Sequence, residues 1–189
     1  MRSIADLSTQ SAATAAAAFS SLPSHRAGAQ SASSVGRGYD FPESMLLMST
    51  TDKQGRITHC NQAFEQVSGF SKHELMGQPH NIVRHPDVPS EIFKDLWATI
   101  GRGRMWQGTV KNARHGGGHY WVRAYVTPVL QAGKPIGYMS VRARASDQEI
   151  AEAQKLYADI VAQRSRAKPR FILHGGRIRV FGWRNQWGK

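Results

Sequence analysis

The sequence predicts an α+β domain in which short helices cover one face of a five-stranded antiparallel sheet. Two short apolar and β-branched runs precede a helical region, and three longer segments with a period of two follow it. Turns that contain glycine separate the last three segments, which is typical of antiparallel neighbours. Strands and helices thus occur in separate groups along the chain, and this order favours an α+β fold over an alternating α/β fold.

The first two strands are predicted to form a hairpin that leads into a short helix. Met45–Thr51 and Arg56–Cys60 are the two runs, and the residues between them end in Gly55, which suits a tight turn. Asn61 follows as a candidate N-cap for a helix over Gln62–Ser68, because its side chain can accept a hydrogen bond from the first helical turn. The chain is therefore expected to change from strand to helix at Asn61.

A polar, proline-rich stretch at Gly77–Pro89 separates the short helices from one longer helix. A Ser-x-x-Glu capping box that begins at Ser71 predicts a second short helix before it. The first proline of the stretch favours one helical turn and the second ends it, because residues that precede a proline avoid the helical conformation. Ser90 is then the predicted N-cap of a helix over Glu91–Ile100, with an apolar stripe expected to face the core. The stripe consists of Ile92, Phe93, Leu96, Trp97 and Ile100.

Three strands are predicted after the long helix, where the hydrophobic period changes to two. They cover Met105–Arg114, His119–Leu130 and Pro135–Ala145. Tyr120 and Trp121 are consecutive in the second of these strands, so their side chains are expected on opposite faces of the sheet.

Residues 41–146 are predicted to form the folded domain, with a distinct segment at each end. Residues 1–40 are rich in Ala, Ser and Thr, which bury too little surface to offset ordering, so a disordered low-complexity leader is expected. Residues 147–166 begin with a capping box and carry apolar residues at helical spacing, which predicts an amphipathic output helix packed on the sheet or on a partner's helix. Residues 167–189 form a basic tail with a possible small hairpin.

Charge and composition narrow the functional classes. The 189 residues have a formal net charge of +12, and the segment from Arg164 to Lys189 contains eight Lys or Arg and no Asp or Glu. Because most of the excess lies in this tail and no nucleic-acid-binding motif accompanies it, a nucleic-acid partner is not expected. Cys60 is the only cysteine, which excludes an internal disulfide and fits a reducing compartment. No run of eighteen apolar residues is present, so no membrane-spanning helix is expected.

The most specific motif is Pro-His-Asn-Ile-Val-Arg-His-Pro-Asp at residues 79–87. Shorter motifs accompany it: Ser49-Thr50-Thr51-Asp52, Asn61-Gln62-Ala63-Phe64, Val67-Ser68-Gly69-Phe70, Glu74-Leu75-Met76-Gly77, Asp95-Leu96-Trp97, Val110-Lys111-Asn112, Tyr120-Trp121-Val122 and Gly137-Tyr138-Met139-Ser140-Val141-Arg142. Over residues 49–144 this set resembles a PAS domain, and more narrowly the PAS module of bacterial aerotaxis receptors and related methyl-accepting chemotaxis sensors.

The resemblance implies an FAD-binding sensor of redox or oxygen state rather than an enzyme. The positions that the family associates with flavin binding, signalling or the pocket wall correspond to Asn61, Arg84, His85, Asp87, Trp106 and Asn112. A flavin ring needs apolar walls with a few placed donors and acceptors, and the Asn112 amide offers both kinds. Arg84 or a protonated His85 would offset the negative charge that reduction adds, and Asp87 would orient either one. Helix capping alone also explains Asn61, and we favour that role.

Two alternatives share the predicted fold. A heme sensor would use His80 or His85 as the iron ligand, because the long helix contains no histidine. A PAS module without a ligand would act as a dimerisation surface. The expected partners are a second copy of the chain or a chemoreceptor signalling protein. The expected location is the cytoplasm, at the inner face of the membrane if the basic tail contacts anionic lipid. No dedicated metal site is expected.

Overall fold

The computed structural model of the chain describes residues 38–163 and 171–180. Most of the predicted disordered leader at residues 1–40 lies outside the described ranges. So do residues 164–166 of the predicted output helix and most of the basic tail at residues 167–189. Within the described ranges, each helix is too short or too polar to cross a membrane.

One sheet of five antiparallel strands forms the domain, as the sequence predicts. The strands are β1 (Leu47–Asp52), β2 (Ile57–Cys60), β3 (Trp106–Ala113), β4 (His119–Gln131) and β5 (Lys134–Arg144). The strand order β2-β1-β5-β4-β3 pairs the first strand with the last strand of the sheet. Because β2 and β3 lie at opposite edges, the helical region between them must cross the whole sheet. It covers one face and encloses the core there.

Four α-helices and one 3₁₀ turn accompany this sheet within the described residues. They are α1 (Gln62–Ser68), α2 (Lys72–Leu75), the 3₁₀ turn (His80–Val83), α3 (Ser90–Ile100) and α4 (Asp147–Gln163). The predicted caps of the first two helices are confirmed. Asn61 Oδ1 accepts from the Phe64 N–H at 3.0 Å, and Ser71 and Glu74 form a reciprocal capping box. Gly69 ends α1 in the left-handed conformation, with φ of 78°.

The predicted N-cap of α3 is wrong by one residue. Pro89 occupies the N-cap position, with φ of −57° and ψ of 142°, and it provides no side-chain hydrogen bond. Ser90 is the first helical residue, and its hydroxyl bonds to Glu91 Oε2 at 3.3 Å. The proline ring already sets a backbone conformation that suits the entry to a helix, so the helix begins without a hydroxyl cap.

Trp97 is not part of the core, in contrast to the prediction from the apolar stripe. Ile92 and Ile100 of α3 are buried, whereas Trp97 is 43% exposed. Its ring meets Tyr138 of β5 edge-on, with ring centroids 5.3 Å apart. The apolar stripe of α3 is wider than the face of the helix that packs on the core, so Trp97 lies at the edge of that face.

The C-terminal helix α4 packs on the sheet rather than projecting from it. Tyr157 stacks on Trp121 of β4 with ring centroids 6.0 Å apart. Arg123, also on β4, forms an ion pair with Glu149 at 2.7 Å. The predicted alternation of Tyr120 and Trp121 is confirmed, because Tyr120 is fully buried on the opposite face. The helix α4 and the short helices therefore lie on different faces of the sheet.

A small hairpin follows α4, as the sequence predicts. It consists of β6 (Phe171–His174) and β7 (Arg177–Val180), joined by a turn at Gly175 and Gly176. Both turn residues have positive φ, 61° and 81°, which favours glycine at these positions. Their backbone N–H groups donate to Asp95 of α3 at 2.9 and 2.7 Å. The hairpin turn is thereby held against the domain.

Candidate functional site

A cavity of about 270 Å³ lies between the sheet and the segment that runs from the 3₁₀ turn through α3. Strands β1, β3, β4 and β5 supply one wall, and residues 79–100 supply most of the other. The apolar and aromatic lining consists of Val83, Phe93, Leu96, Trp97, Ile100, Trp106, Val110, Ala124, Val126 and Tyr138. The volume is slightly below the roughly 300–1,000 Å³ range of ligand pockets, and it suits a flat aromatic group.

Trp106 of β3 lines the cavity in a fixed orientation. It is 1% exposed, and its Nε1 donates to Asp95 Oδ2 at 2.8 Å. Gly108 leaves the space that the indole needs, since a Cβ there would lie 2.3 Å from Trp106 Cη2. The polar edge of the ring is satisfied on the side of α3, so its apolar surface is available to the cavity.

Three polar atoms at the cavity have no hydrogen-bond partner among the described residues. They are Thr51 Oγ1, Asn112 Nδ2 and Ser140 Oγ, each nearly inaccessible to solvent. Asn112 lies beside Tyr120, whose buried hydroxyl also has no hydrogen-bond partner among the described residues. Burial raises the pKa of Tyr120 to about 12, against the opposing effects of the Arg142 charge and the Asn112 side chain. Because buried polar groups normally have partners, these atoms mark positions where a ligand can bind.

Arg142 of β5 is a buried cation at the cavity wall. The residue is 4% exposed, and no carboxylate of the described residues forms an ion pair with it. Its Nη1 donates to Ser49 Oγ at 3.2 Å, its Nη2 lies 2.6 Å from His80 Nε2, and its guanidinium lies 5.1 Å from the Phe64 ring centroid. Burial lowers the pKa of Arg142 to about 10, so the side chain stays charged at neutral pH.

His80 is neutral, and its ring accepts a hydrogen bond from the charged guanidinium of Arg142. Desolvation, together with the adjacent charge of Arg142, lowers the pKa of His80 to about 3. Because the guanidinium nitrogen is only a donor, His80 Nε2 must accept and the ring proton must reside on Nδ1. The Ser49 hydroxyl lies 3.1 Å from the same Nε2. This group of three residues thus carries one positive charge and no negative charge.

Arg84 and Asn112, two of the predicted site residues, lie together at the cavity. Their backbones form an isolated antiparallel bridge, which joins the end of the 3₁₀ turn to β3. The Arg84 guanidinium lies 4.2 Å from the Phe93 ring centroid and 3.4 Å from the Val88 carbonyl oxygen. Trp106 lines the same cavity, so three of the six predicted residues meet there.

His85 and Asp87 lie outside the described lining of the cavity. Asp87 is exposed and forms an ion pair with Lys111 at 2.6 Å, which lowers the pKa of its carboxyl. His85 Nδ1 accepts from the Asp87 backbone N–H at 3.2 Å, and its ring meets His119 edge-on. Burial and nearby Lys111 lower the pKa of His85 against the opposing effect of Asp87. The neutral form is therefore favoured, and the cations at the cavity are arginines.

Asn61 also lies outside the described lining, and its side chain is fully engaged elsewhere. Oδ1 accepts from the backbone N–H groups of Phe64 and Met48, each at 3.0 Å, and Nδ2 donates to the Leu46 carbonyl oxygen at 2.9 Å. The first bond caps α1, and the other two join the start of α1 to β1 and to the residue before it. They account for asparagine at this position without a ligand.

The sequence reasoning did not single out Arg142, Ser49 or Ser140 as site residues, and it considered His80 only as a heme ligand. A signal was present in the alternation of β5. Ser140 and Arg142 share the face of the strand that the core requires to be mostly apolar, and both are buried. Polar residues at inward positions of a strand are informative, because each needs a partner.

Comparisons with known proteins agree with this architecture. Residues 57–142 match the family described as PAS fold. The aerotaxis receptor of Escherichia coli K12 is 50% identical over 137 residues, which cover 72% of this chain and 26% of that protein. The nitrogen fixation regulatory protein of Klebsiella pneumoniae is 32% identical over 88 residues, 47% of this chain and 18% of that protein. The chain therefore spans about a quarter or less of the length of these relatives.

A solved structure shows the same fold at low sequence identity. The light state of the blue-light photoreceptor Aureochrome1 LOV aligns with a TM-score of 0.53 and 17% identity, covering 61% of this chain and 91% of that one. At this identity the match concerns the fold alone. It shows that the sheet and its helices are arranged as in that domain.

Proposed function

The chain belongs to the PAS family, and on that premise we propose that it is an FAD-binding sensor module for aerotaxis-like signalling. The observation that carries the proposal is the composition of the cavity. Among the described residues, one space is surrounded by aromatic walls, three unpaired polar atoms and a buried guanidinium without a carboxylate partner. These are the features that a flat, polar-edged ring of variable charge requires.

The residues fit a flavin ring in shape and in hydrogen-bonding capacity. Trp97, Trp106 and Tyr138 offer aromatic surface to its faces. The unpaired Asn112 Nδ2 and Ser140 Oγ would bind the amide-like edge of the ring. When bound, a flavin supplies a ring that accepts electrons reversibly and gains negative charge. The cavity of about 270 Å³ accommodates the ring system, so the adenosine part of FAD would extend beyond it.

Two contacts of β3 connect the cavity to other parts of the domain. Asn112 shares a backbone bridge with Arg84, so a change in its hydrogen bonding reaches the polar stretch at residues 77–89. On the other face of the sheet, the carbonyl oxygen of Thr109, also on β3, accepts from the Tyr157 hydroxyl of α4 at 3.0 Å. A preference of about 1–3 kcal/mol between two arrangements would suffice for a switch.

The proposed recipient of the signal is a chemotaxis signalling protein, and the matched aerotaxis receptor supports this class of partner. A second copy of the chain would bring two cavities into one assembly. Contact of the basic tail with an anionic membrane would place the module at the inner face of the cell membrane. We therefore include a dimer and a membrane contact of the basic tail in the proposal.

The absorption spectrum of the purified protein tests the proposal. Flavin bands are expected that bleach with dithionite and return in air. Thermal unfolding should shift upward when FAD is added to flavin-depleted protein, because a ligand that binds only the folded state stabilises it. A colourless protein that takes up no FAD would contradict the proposal. A Soret band would support heme instead, although His80 Nε2 is already engaged by Arg142 and Ser49.

A further inference from the structure

We infer that Arg142 makes the cavity selective for a negatively charged ring, so that the reduced, anionic flavin binds more tightly than the oxidised flavin. The inference rests on the proposed function and adds the residue that sets the redox preference. It assigns this role to β5 rather than to the polar stretch at residues 77–89, where the sequence analysis placed the compensating charge.

The first argument is the absence of a negative partner for Arg142. A buried guanidinium is normally paired with a carboxylate, because removing a charge from water is costly. Among the described residues, Arg142 instead contacts the Ser49 hydroxyl, the His80 ring and the face of Phe64. All three are uncharged, so the cost of burying the cation is only partly offset. An anionic ligand would supply the missing charge.

The second argument concerns the other groups that face the cavity. Among the described lining residues are two arginines, Arg84 and Arg142, and no Asp or Glu. Arg84 is covered by the Phe93 ring at 4.2 Å and reaches the Val88 carbonyl. His80 adds no charge near neutral pH, since burial and Arg142 lower its pKa. The electrostatic potential at the cavity is therefore positive, and it is largest where the charge is least solvated.

The third argument is the rigidity of the guanidinium. Nη1 and Nη2 bind to side chains of two different segments, Ser49 on β1 and His80 on the 3₁₀ turn. In the hydrogen bonds of the described residues, two further N–H positions of the fork and the Nε–H are not used. A fixed donor that does not reorganise when charge appears gives a larger electrostatic stabilisation than a mobile surface lysine.

A difference in affinity between the oxidised and the reduced flavin would change the midpoint potential of the bound flavin. With a flavin bound, dithionite would supply two electrons and solvent one proton, so the ring would gain one negative charge. If the cavity binds this form more tightly than the oxidised form, the midpoint potential rises by about 30 mV per tenfold ratio of affinities. Removing the charge of Arg142 should lower the midpoint by the corresponding amount.

The test is a redox titration of the flavin-loaded protein and of three variants. Arg142→Gln keeps hydrogen-bond donors but removes the charge, and Arg142→Lys restores the charge without the fork. Arg144→Gln is the matched control, because Arg144 lies on the same strand and pairs with Asp40 and Glu43 instead. We expect the R142Q midpoint to fall by about 30 mV or more, a tenfold change. We expect R142K to recover part of this, and R144Q to match the wild type.

A second measurement on the unmodified chain covers the case in which R142Q does not fold. Flavin-depleted protein is titrated anaerobically with oxidised and with reduced FAD, and binding is followed by tryptophan fluorescence. Tighter binding of the reduced form supports the inference. Equal or weaker binding, or an unchanged midpoint in folded R142Q, would overturn it while leaving the flavin proposal intact. Failure to bind either form would overturn the proposed function itself.

Discussion

Trp106 donates its indole N–H to Asp95 Oδ2 at 2.8 Å, and this bond joins the cavity wall to α3. The same carboxylate accepts from the N–H groups of Gly175 at Oδ1 and Gly176 at Oδ2. The turn approaches β3 so closely that a Cβ at Gly176 would lie 1.7 Å from the Gln107 carbonyl oxygen. One carboxylate on α3 therefore holds the cavity tryptophan and the hairpin turn in a fixed relation.

Replacing Asp95 should release the hairpin turn and loosen the tryptophan. In Asp95→Asn, one oxygen becomes an NH₂ group, so at least one of the three donors loses its acceptor. We expect the free energy of unfolding to fall by about 2 kcal/mol or more, since bonds to charged groups are the stronger class. Urea unfolding measures this loss, and amide hydrogen exchange at Gly175 and Gly176 should accelerate.

The control for this prediction is Asp159→Asn, which changes an exposed carboxylate on α4. Its effect on stability should stay within about 0.5 kcal/mol, as for most surface substitutions. Unchanged exchange at the glycine turn in Asp95→Asn would show that the carboxylate does not hold the hairpin in solution.

The low pKa of His80 in the folded protein predicts that the protein loses stability in mild acid. Its pKa is about 3 in the folded protein and 6.5 in the unfolded chain, so between these values the unfolded state binds more protons at this site. Stability should therefore fall as the pH drops below about 6.5, with a limiting slope near 1.4 kcal/mol per pH unit. Burial also lowers the pKa values of His85 and His119, so both add to the slope in the same direction.

Urea unfolding between pH 7 and pH 4 separates the contribution of His80. His80→Gln retains an acceptor for Arg142 and cannot be protonated, so its stability should depend less steeply on pH. His59→Gln alters an exposed histidine and should keep the wild-type slope. Identical slopes for His80→Gln and the wild type would show that the imidazole does not resist protonation in the folded state.

The elements of the fold follow from local patterns, whereas the charged centre of the cavity does not. The capping box at Ser71 and the proline before His80 each specify their structure within a few residues. Arg142 and His80 are 62 positions apart, and their contact depends on how β5 pairs with β1 and where the 3₁₀ turn ends. A sequence pattern identifies an inward polar residue on a strand, but it does not identify the partner that a distant segment supplies.

Neighbours in sequence can also diverge in space, as residues 84–87 show. The sequence places Arg84, His85 and Asp87 in one motif and predicts that all three tune a bound flavin, the first two by their charge and Asp87 by orienting them. In the structure, Arg84 is extended after the 3₁₀ turn, and the chain then turns at Pro86 and Asp87, where the Val88 N–H donates to the His85 carbonyl oxygen at 3.1 Å. Arg84 lines the cavity, whereas Asp87 pairs with Lys111 at the surface. The direction of each side chain depends on backbone angles that adjacency alone does not determine.

This divergence predicts unequal effects on flavin affinity. Asn112→Ala removes a buried amide at the cavity, and the loss of one such hydrogen bond should weaken FAD binding about tenfold. His85→Ala acts only through the surrounding polar stretch, so we expect a smaller loss. Fluorescence titration of flavin-depleted protein gives both dissociation constants, and circular dichroism confirms that each variant is folded. An equal or larger loss in His85→Ala would mean that His85 reaches the flavin in the loaded protein.

Substitution of Asn61 distinguishes most clearly between a structural role and a ligand-binding role of this residue. Its side chain makes three hydrogen bonds, to Phe64, Met48 and Leu46, and lies outside the described cavity lining. Asn61→Ala removes the N-cap of α1 and leaves those backbone groups without their partner, so stability should fall by about 1–3 kcal/mol. The affinity of the folded variant for FAD should stay within about twofold of the wild type, which is under 0.5 kcal/mol. Asn61→Asp retains the acceptor for the cap and should recover part of the lost stability. A variant with wild-type stability but weakened FAD binding would instead place Asn61 in the flavin site.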